Sequence, residues 1–530
     1  MIIDLTLSLT PWQAVSYNAY LSLAAEMLKV KKNRIKEVTV IRRSVDARQR
    51  NVRINLALKV YIDEKKPEVV SSIYDFRNVE NERPVAVVGA GPAGLFAALR
   101  LIELGYRPIV FERGKAVSDR KRDIARIFRE GIINPDSNLG FGEGGAGAFS
   151  DGKLYTRSAK RGDVKKVLEL FVQFGADPNI LIDAHPHIGS DKLPRIIRNI
   201  RQQIIDSGGE VHFGCRVNGL IIKGKHCIGL TTTDGQRYDR MPVILATGHS
   251  ARDVYRFLDE AGISMEAKGF AMGVRIEHPQ AEIDTMQYHT SQRSEFLPPA
   301  EYYFATQVND RGVYTFCMCP GGFIIPAATT PGEIVVNGMS ASGRNSPFAN
   351  AGVVVEIKPE DAQQHFKQHG IFAGLEMQWR LEQQCFALAN NTQSAPAQRL
   401  KDFIAGRKST DLPSSSYYPG LTVAPLHTEL PAHISERLRS GFRLFNRRTD
   451  GAFASSNAII AGVESRTSSP LRIPRNDKHQ HIELAGLFPC GEGAGYAGGI
   501  VSAAMDGQQC ATAVAMFWYE HIARQHPFFK

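Results

Sequence analysis

The stretch Val85-Ala86-Val87-Val88-Gly89-Ala90-Gly91-Pro92-Ala93-Gly94 restricts what this chain can fold into more than any other. Its apolar residues run into a glycine turn, and a helical pattern continues from Leu95 to Leu104. A second apolar run, Pro108-Ile109-Val110-Phe111, ends in Glu112, 18 residues after Gly94. In a strand–turn–helix–strand unit each position has a physical task. Gly89 permits the tight turn. Gly91 lets backbone N–H groups approach a pyrophosphate with no Cβ in the way, and Pro92 and Ala93 open a helix whose N-terminus attracts negative charge. Gly94 brings helix and strand close together, and Glu112, followed by Arg113, accepts hydrogen bonds from ribose hydroxyls. A bare G-x-G-x-x-G is a common glycine turn. Here strand, turn, helix, strand and acid fall in register, which points to a bound dinucleotide.

At 530 residues the chain exceeds a single hydrophobic core, so about two or three domains are expected. With 43% hydrophobic and 22% charged residues it reads as globular rather than disordered. No apolar run reaches the roughly 18 residues of a membrane span. The start, Met1-Ile2-Ile3-Asp4-Leu5, lacks the basic n-region of a signal peptide, so a cytoplasmic location is expected. Seven cysteines without framework spacing fit a reducing compartment, and the lack of a Cys-x-x-Cys pair removes the usual dithiol motif of disulfide reductases. The net charge of +10 is uneven: Lys29 to Arg53 holds ten Lys or Arg against Glu37 and Asp46. A solvated face is the plainer reading of this run, and a nucleic-acid surface is the alternative.

Four segments follow from the pattern: a small basic α+β module over 1–80, a dinucleotide fold over 81–254, an inserted α+β domain over 255–455, and a return to the dinucleotide fold over 456–530. In the first, strands over Ile2–Leu9, Val38–Arg42 and Val52–Ile62 and a helix over Trp12–Lys29 suggest a ferredoxin-like or similar domain, with Pro67 and Arg77–Arg83 as linker. The second is an α/β, Rossmann-like unit that contains Gly140 to Gly152, with six glycines in 13 residues. That loop keeps Phe141 and Phe149, unlike a flexible linker, and reads as backbone wrapped around a planar ligand through Gly142, Gly144, Gly145, Gly147 and Ser150. Val217 opens a strand nearby, and the strand Val243-Ile244-Leu245 closes on Ala246-Thr247-Gly248, where small residues let the backbone pass close to a cofactor. The inserted segment shows no second G-x-G-x-x-G opening a β-α-β unit, so no separate NAD(P) domain is expected. In the last segment Leu487-Phe488-Pro489-Cys490 ends in Gly491-Glu492, and Gly498-Gly499-Ile500-Val501 starts a long helix. An acid there suits a ribityl chain, and a helix N-terminus suits the N1–C2=O edge of a flavin, where negative charge collects on reduction. The dinucleotide expected is therefore FAD.

Together, Gly89 to Gly94, Glu112-Arg113-Gly114, Ala246-Thr247-Gly248 and Gly486 to Glu492 resemble the FAD-binding flavoproteins of the glutathione-reductase-like superfamily. Further segments are similar to the bacterial group described as predicted FAD-dependent dehydrogenases, or NAD(P)/FAD-dependent oxidoreductases. These are Phe141 to Leu154, Gly248 to Asp253, Phe316 to Gly322, Gly462 to Pro470 and Gly491 to Gly499. The likeness runs through nearly the whole chain. It implies FAD and an oxidoreductase, and names no substrate. Glu492 stands where Asp is common in the wider superfamily.

Flavin chemistry leaves the protein mainly to position a donor and stabilise charge, with NAD(P)H as a candidate transient donor and a small molecule as substrate. Candidate residues are Cys317 and Cys319, on one face if their segment is a strand and able to act as a redox pair or a thiolate, though one-residue spacing makes a strained disulfide; Arg275 and Glu277, two apart on a strand and able to anchor an anion or pair with each other; Arg466, in the polar run Glu464 to Ser468; and Lys153, beside the glycine loop. Buried apolar cysteines and an interdomain salt bridge are the plainer readings of the first two pairs. The histidines, His185, His187, His278 and His289 among them, lack ligand spacing, so no metal centre is expected. Two alternatives remain: an RNA-linked flavoprotein that docks nucleic acid on Lys29 to Arg53 for a modification reaction, and a flavin-binding regulator without catalysis.

Overall fold

The computed structural model describes residues 1–67, 74–156, 160 and 162–523. Strands β1 (Ile2–Leu9), β2 (Ile35–Asp46) and β3 (Arg53–Ile62), with helix α1 (Tyr17–Met27), form the first module. Its sheet has the order β1-β3-β2 and both pairings are antiparallel. Within residues 1–62 there is one helix–strand crossover, so the module is simpler than the β-α-β-β-α-β of a ferredoxin-like fold. The expected single helix is broken at Ser16, whose extended backbone separates Pro11–Val15 from α1.

The module is docked, not tethered. Its apolar face joins the core of the large sheet in one hydrophobic cluster. Arg43 exchanges backbone hydrogen bonds with Ile182 and Ala184, and its guanidinium pairs with Asp183 at 2.7 Å. Arg34 and Arg48 are likewise paired, with Asp63 and Asp46, so part of the basic run is matched by acids. The expected linker also differs. Val79 is fully buried and bonds through its N–H to Ser207, so Arg77–Arg83 is anchored at Val79, while its other residues are exposed; the stretch after Pro67 runs into 68–73, outside the described residues.

Strands β4 (Pro84–Val88), β5 (Arg107–Phe111), β6 (Glu210–His212) and β7 (Val243–Leu245) build a five-stranded parallel sheet with the late strand Leu487–Pro489. Parallel strands need crossovers, and α2 (Pro92–Leu104) supplies the first. Further helices cover the same core, among them α3 (Leu193–Asp206) and the C-terminal α4 (Ile500–Ala523). A Cβ on Gly507 of α4 would collide with the Ala93 carbonyl oxygen, which measures how closely the last helix packs on the first turn of α2.

The intervening chain forms a seven-stranded sheet. Its centre is β8 (Phe270–Pro279), β9 (Arg311–Cys319), β10 (Phe348–Ile357) and β11 (Ile459–Glu464), paired antiparallel as β9-β10-β8-β11. This sheet extends past residue 455 to Glu464, and the chain rejoins the parallel sheet only at Leu487. The reason is register. The apolar run Ile459-Ile460-Ala461 pairs with Glu277, Ile276 and Arg275 of β8 and is wholly buried there. Among the described residues no helix is long and apolar enough to cross a membrane.

Candidate functional site

A cavity of about 410 Å³ lies between the parallel sheet and the seven-stranded sheet. At one end stands the turn after β4. Gly89 has φ of 103°, and a Cβ there would collide with the Ala246 carbonyl, where β7 ends. A Cβ on Gly94 would collide with the Gly89 carbonyl, so Gly94 serves helix–strand packing and does not line the cavity. Gly91 differs. Its φ of −78° suits any residue, and a Cβ would meet only the Cα of Gly145, at 3.9 Å. Gly91, Pro92 and Ala93 line the cavity with Gly89.

Glu112, at the end of β5, is 5% exposed. Its carboxylate accepts backbone N–H bonds from Ala90 (2.9 Å), Gly114 (2.9 Å) and Gly142 (3.0 Å), and so ties the first turn to the glycine loop. A carboxylate has about four acceptor directions, so one remains for a ligand hydroxyl. Arg113 stacks on Phe141 at 4.2 Å and pairs with Asp136 and Asp253. Cys215, Arg216 and Val217 complete this end.

The glycine loop forms the cavity wall through Gly142, Gly145, Gly147, Ser150 and Lys153. Gly144 is turned away, because its Cα faces Ile197 of α3 and its N–H bonds to Ala90. The loop is held from beneath by Arg120, which is fully buried and donates to the carbonyls of Asn138 (2.6 Å), Leu139 (2.8 Å) and Glu143 (2.8 Å). Burial pushes Arg120 down to about 10, against the pull of Glu112 and Glu143. Sequence reading missed it because it sits in an ordinary amphipathic helix.

The C-terminal part contributes Glu492, Gly498, Gly499 and Ile500, and the end of β7 contributes Thr247, Gly248 and His249. Gly491 and Val501 fall outside the lining. Gly491 donates its N–H to Asp506 at 2.7 Å, and Val501 points into the core beneath α2. His249 Nε2 stands 3.5 Å from Glu492. Burial raises Glu492, and burial, helped by Arg466 and Lys268, pushes His249 down to about 4. The His249 ring is thus held neutral near pH 7. His249 adjoins the Ala-Thr-Gly motif and could have been found from it.

At the far end Phe316, Cys317, Asn337, Lys153 and Tyr155 meet. The two cysteines do not share one strand face in the expected way. A bulge between Phe316 and Cys319 breaks the alternation of β9, and Cys317 takes φ of 45°. Cys317 reaches the cavity, while Cys319 is buried beneath it. The Cys319 thiol donates to the Cys317 carbonyl oxygen at 3.4 Å and accepts from Arg275 at 3.4 Å. The neighbouring Cys319 thiol, aided by Lys153 and Arg275 and opposed by burial, pushes Cys317 down, and Cys319 moves the other way.

Arg275 and Glu277 do not pair with each other and do not line the cavity. Arg275 is fully buried and donates to Asn350 (2.8 Å), Glu464 (3.2 Å) and the Cys317 carbonyl (2.7 Å), so it holds the bulge. Glu277 accepts from the backbone and hydroxyl of Ser416. Alternate residues on β8 face one side, but their partners come from different elements. Arg466 lines the cavity, with its guanidinium bound to Glu382 (2.8 Å), Glu333 (2.7 Å) and Thr329 (2.6 Å). Thr467 beside it also faces the cavity.

One group absent from the sequence reading could hold a cation: ligand atoms of His479, Asp506 and Cys510 lie within 4.8 Å of one another. Arg475 already occupies it, with bonds of 2.6 and 3.0 Å to Asp506. The three residues are too scattered for spacing rules to connect. All seven cysteines are free thiols.

Residues 269–467 match the family described as FAD-dependent protein, C-terminal domain-like, and residues 1–61 match a domain family of unknown function. An uncharacterized protein of Clostridium beijerinckii is 40% identical over 506 residues, covering 91% of this chain and 93% of its own. The chain belongs to that protein's family. FAD is its cofactor. Among solved structures, CtdE in complex with FAD is 11% identical with a TM-score of 0.32, covering 84% of this chain and 90% of that one. The flavin-dependent brominase Bmp2 is 13% identical with a TM-score of 0.35, covering 84% and 80%. Both likenesses are loose.

Proposed function

We propose that the chain is an FAD-dependent oxidoreductase that passes a hydride equivalent between a donor, NAD(P)H or the substrate itself, and a small molecule bound beside Lys153 and Cys317. The observation that carries this reading is the continuity of the cavity, which runs from the Gly89–Gly91 turn to Cys317 with glycines along its walls. A Cβ on Gly248, Gly498 or Gly499 would meet nothing within 4 Å, and one on Gly91 would project into the same space. Such a cradle fits an extended cofactor, and Cβ atoms there would fill it.

In this reading Gly91 and the start of α2 hold the pyrophosphate, Glu112 takes a ribose hydroxyl, and Arg113 and Val217 border the adenine. Glu492 holds the ribityl chain. The N-terminus of α4 at Gly499 and Ile500 offers positive potential to the pyrimidine edge of the ring. Bound FAD supplies the two-electron carrier. The neutral His249 keeps positive charge away from Glu492. Lys153, with no hydrogen-bonded or ion-pair partner among the described residues, attracts an anionic or carbonyl oxygen of the substrate.

The test is an anaerobic titration of the flavin-loaded protein with NADH, NADPH and candidate substrates, following flavin absorbance. Rapid bleaching by one of them, with recovery on adding an acceptor, supports the reading. A flavin that only dithionite can reduce would leave the protein a flavin-binding regulator.

A further inference from the structure

We propose that Cys317 is a peroxide-reactive thiolate at the inner end of the cofactor cavity, and that Cys319 resolves it to an intrachain disulfide. The inference rests on the proposed cavity assignment only in calling that end the substrate side. The thiol pair itself is independent of it.

Three observations lead there. First, β9 is an antiparallel strand of the central sheet until Phe316, and then a bulge sets Cys317 in the left-handed region, at φ of 45°. A non-glycine residue in that region costs about 1 kcal/mol or more, and it persists where surrounding structure over-determines it. Here Arg275 does so, through its 2.7 Å bond to the Cys317 carbonyl. Secondly, the bulge sets Cys317, only partly buried, on the cavity wall and leaves Cys319 fully buried behind it, with its thiol 3.4 Å from the Cys317 carbonyl oxygen. A structural cysteine pair needs no opening to a cavity. A reactive cysteine with its resolving partner does.

Thirdly, the charges suit a thiolate. Lys153 from the glycine loop and Arg275 from β8 face Cys317 from two elements, against Asp151, Glu464 and Glu492. Of these acids, Asp151 is bound by Arg344 and Glu464 by Arg275, and burial holds Glu464 up to about 7, so it carries less charge near neutrality; burial also raises Glu492. The Cys319 thiol beside it, then Lys153 and Arg275, hold the Cys317 thiol below its ordinary value against burial and Asp151.

The chemistry balances with a hydroperoxide as co-reactant. The Cys317 thiolate attacks the distal oxygen, an S–O bond forms and the O–O bond breaks. The sulfur is oxidised by two electrons, and the departing oxygen takes a proton to leave as water or an alcohol. The Cys319 sulfur then attacks Cys317. The S–S bond forms, the S–O bond breaks, and hydroxide leaves as water with the Cys319 proton. A small oxidant suits a sulfur that is only partly exposed.

Cys215 provides an internal control. It lines the same cavity and is also partly exposed, but burial raises its pKa. In the flavin-loaded protein near pH 6, iodoacetamide should label Cys317 at least tenfold faster than Cys215, read by peptide mass spectrometry. One equivalent of hydrogen peroxide should then produce a Cys317–Cys319 disulfide, reversed by dithiothreitol. In Cys319→Ser the reaction should stop at a sulfenic acid on Cys317 that dimedone traps. Equal labelling of Cys215 and Cys317, or peroxide oxidation that spares Cys317, overturns the inference. Flavin reduction by NADH or NADPH is read on the same sample. An inert thiol beside a reducible flavin refutes only this inference, and a reactive thiol beside an irreducible flavin refutes only the proposed function.

Discussion

Arg344 grips Asp151 with two hydrogen bonds, of 3.1 and 2.7 Å, between a loop of the seven-stranded-sheet segment and the glycine loop that walls the cavity. Asp151 is 1% exposed, and Arg344 is nearly as buried. Burial works to raise the Asp151 pKa, but Arg344, helped by Lys153, outweighs it and holds the group below its ordinary value. A carboxyl whose folded pKa lies below its unfolded one, near about 3.9, contributes stability that is fully present above that value and is lost as pH falls through the folded one.

Asp151→Asn should therefore destabilise the protein at pH 7 by about 3 kcal/mol, since it leaves the Arg344 charge buried and unpaired. It should also flatten the steepest part of the acid loss below pH 4. Melting temperatures of the two proteins across pH 3 to 7 check this. A variant that melts with wild type at every pH would show that the two loops do not depend on the pair.

His249 makes a second acid limb, at higher pH. Its folded value of about 4 lies below the ordinary 6.5, because burial disfavours the charged ring. Stability from the neutral ring is complete above pH 6.5 and is lost as pH falls towards 4, a span worth roughly 3 kcal/mol. In apoprotein, His249→Gln should remove that slope between pH 6.5 and 4 while leaving the loss below pH 4. Denaturant midpoints at each pH read it directly, and an unchanged slope would mean that water reaches the imidazole.

How much of this was legible in the residues differs between backbone and side chains. The turn at Gly89 to Gly94, the strand ending in Glu112, the Ala246-Thr247-Gly248 passage and the Gly491-Glu492 segment all came out on one cavity or directly behind it, because glycine spacing encodes backbone geometry locally. Gly94 packs helix on strand as its place in the turn predicts. What spacing did not tell was which of the other glycines line the cavity: Gly144 and Gly491 do not, and that depends on what lies opposite, namely Ile197 and Asp506. Partner choice was equally hidden. Arg275 and Glu277 sit two apart on β8, yet their partners Glu464 and Ser416 arrive from chain more than a hundred residues away. The bulge that frees Cys317 was invisible, since Phe316-Cys317-Met318-Cys319 reads as regular strand.

The Arg466 guanidinium, expected on the substrate side, is committed to a buried network. Glu382, on the helix Ala373–Leu388, accepts from Arg466 at 2.8 Å and from Arg252 at 2.7 Å, and has no exposed surface. Glu382→Gln keeps the shape but leaves two guanidinium groups sharing Glu333. It should cost about 3–5 kcal/mol in urea unfolding. Loss of less than about 1 kcal/mol, the scale of an exposed pair, would mean that Glu333 alone satisfies both arginines.

The sharpest separation between fold and ligand lies within the opening turn. Gly94 has the Gly89 carbonyl where a Cβ would go, so Gly94→Ala must push α2 away from β4. It should lower stability by about 3 kcal/mol, at the upper end of overpacking effects. Gly91 has an ordinary φ and open space, so Gly91→Val should leave the melting temperature of the apoprotein unchanged. Its branched side chain would occupy the path proposed for the pyrophosphate. FAD affinity, measured by quenching of flavin fluorescence, should fall at least tenfold, which corresponds to about 1.4 kcal/mol of binding energy. If Gly91→Val binds FAD as wild type does, the pyrophosphate does not cross the helix N-terminus at this point. If it fails to fold, Gly91 and Gly94 are doing the same structural work, and the open space beside Gly91 has another purpose.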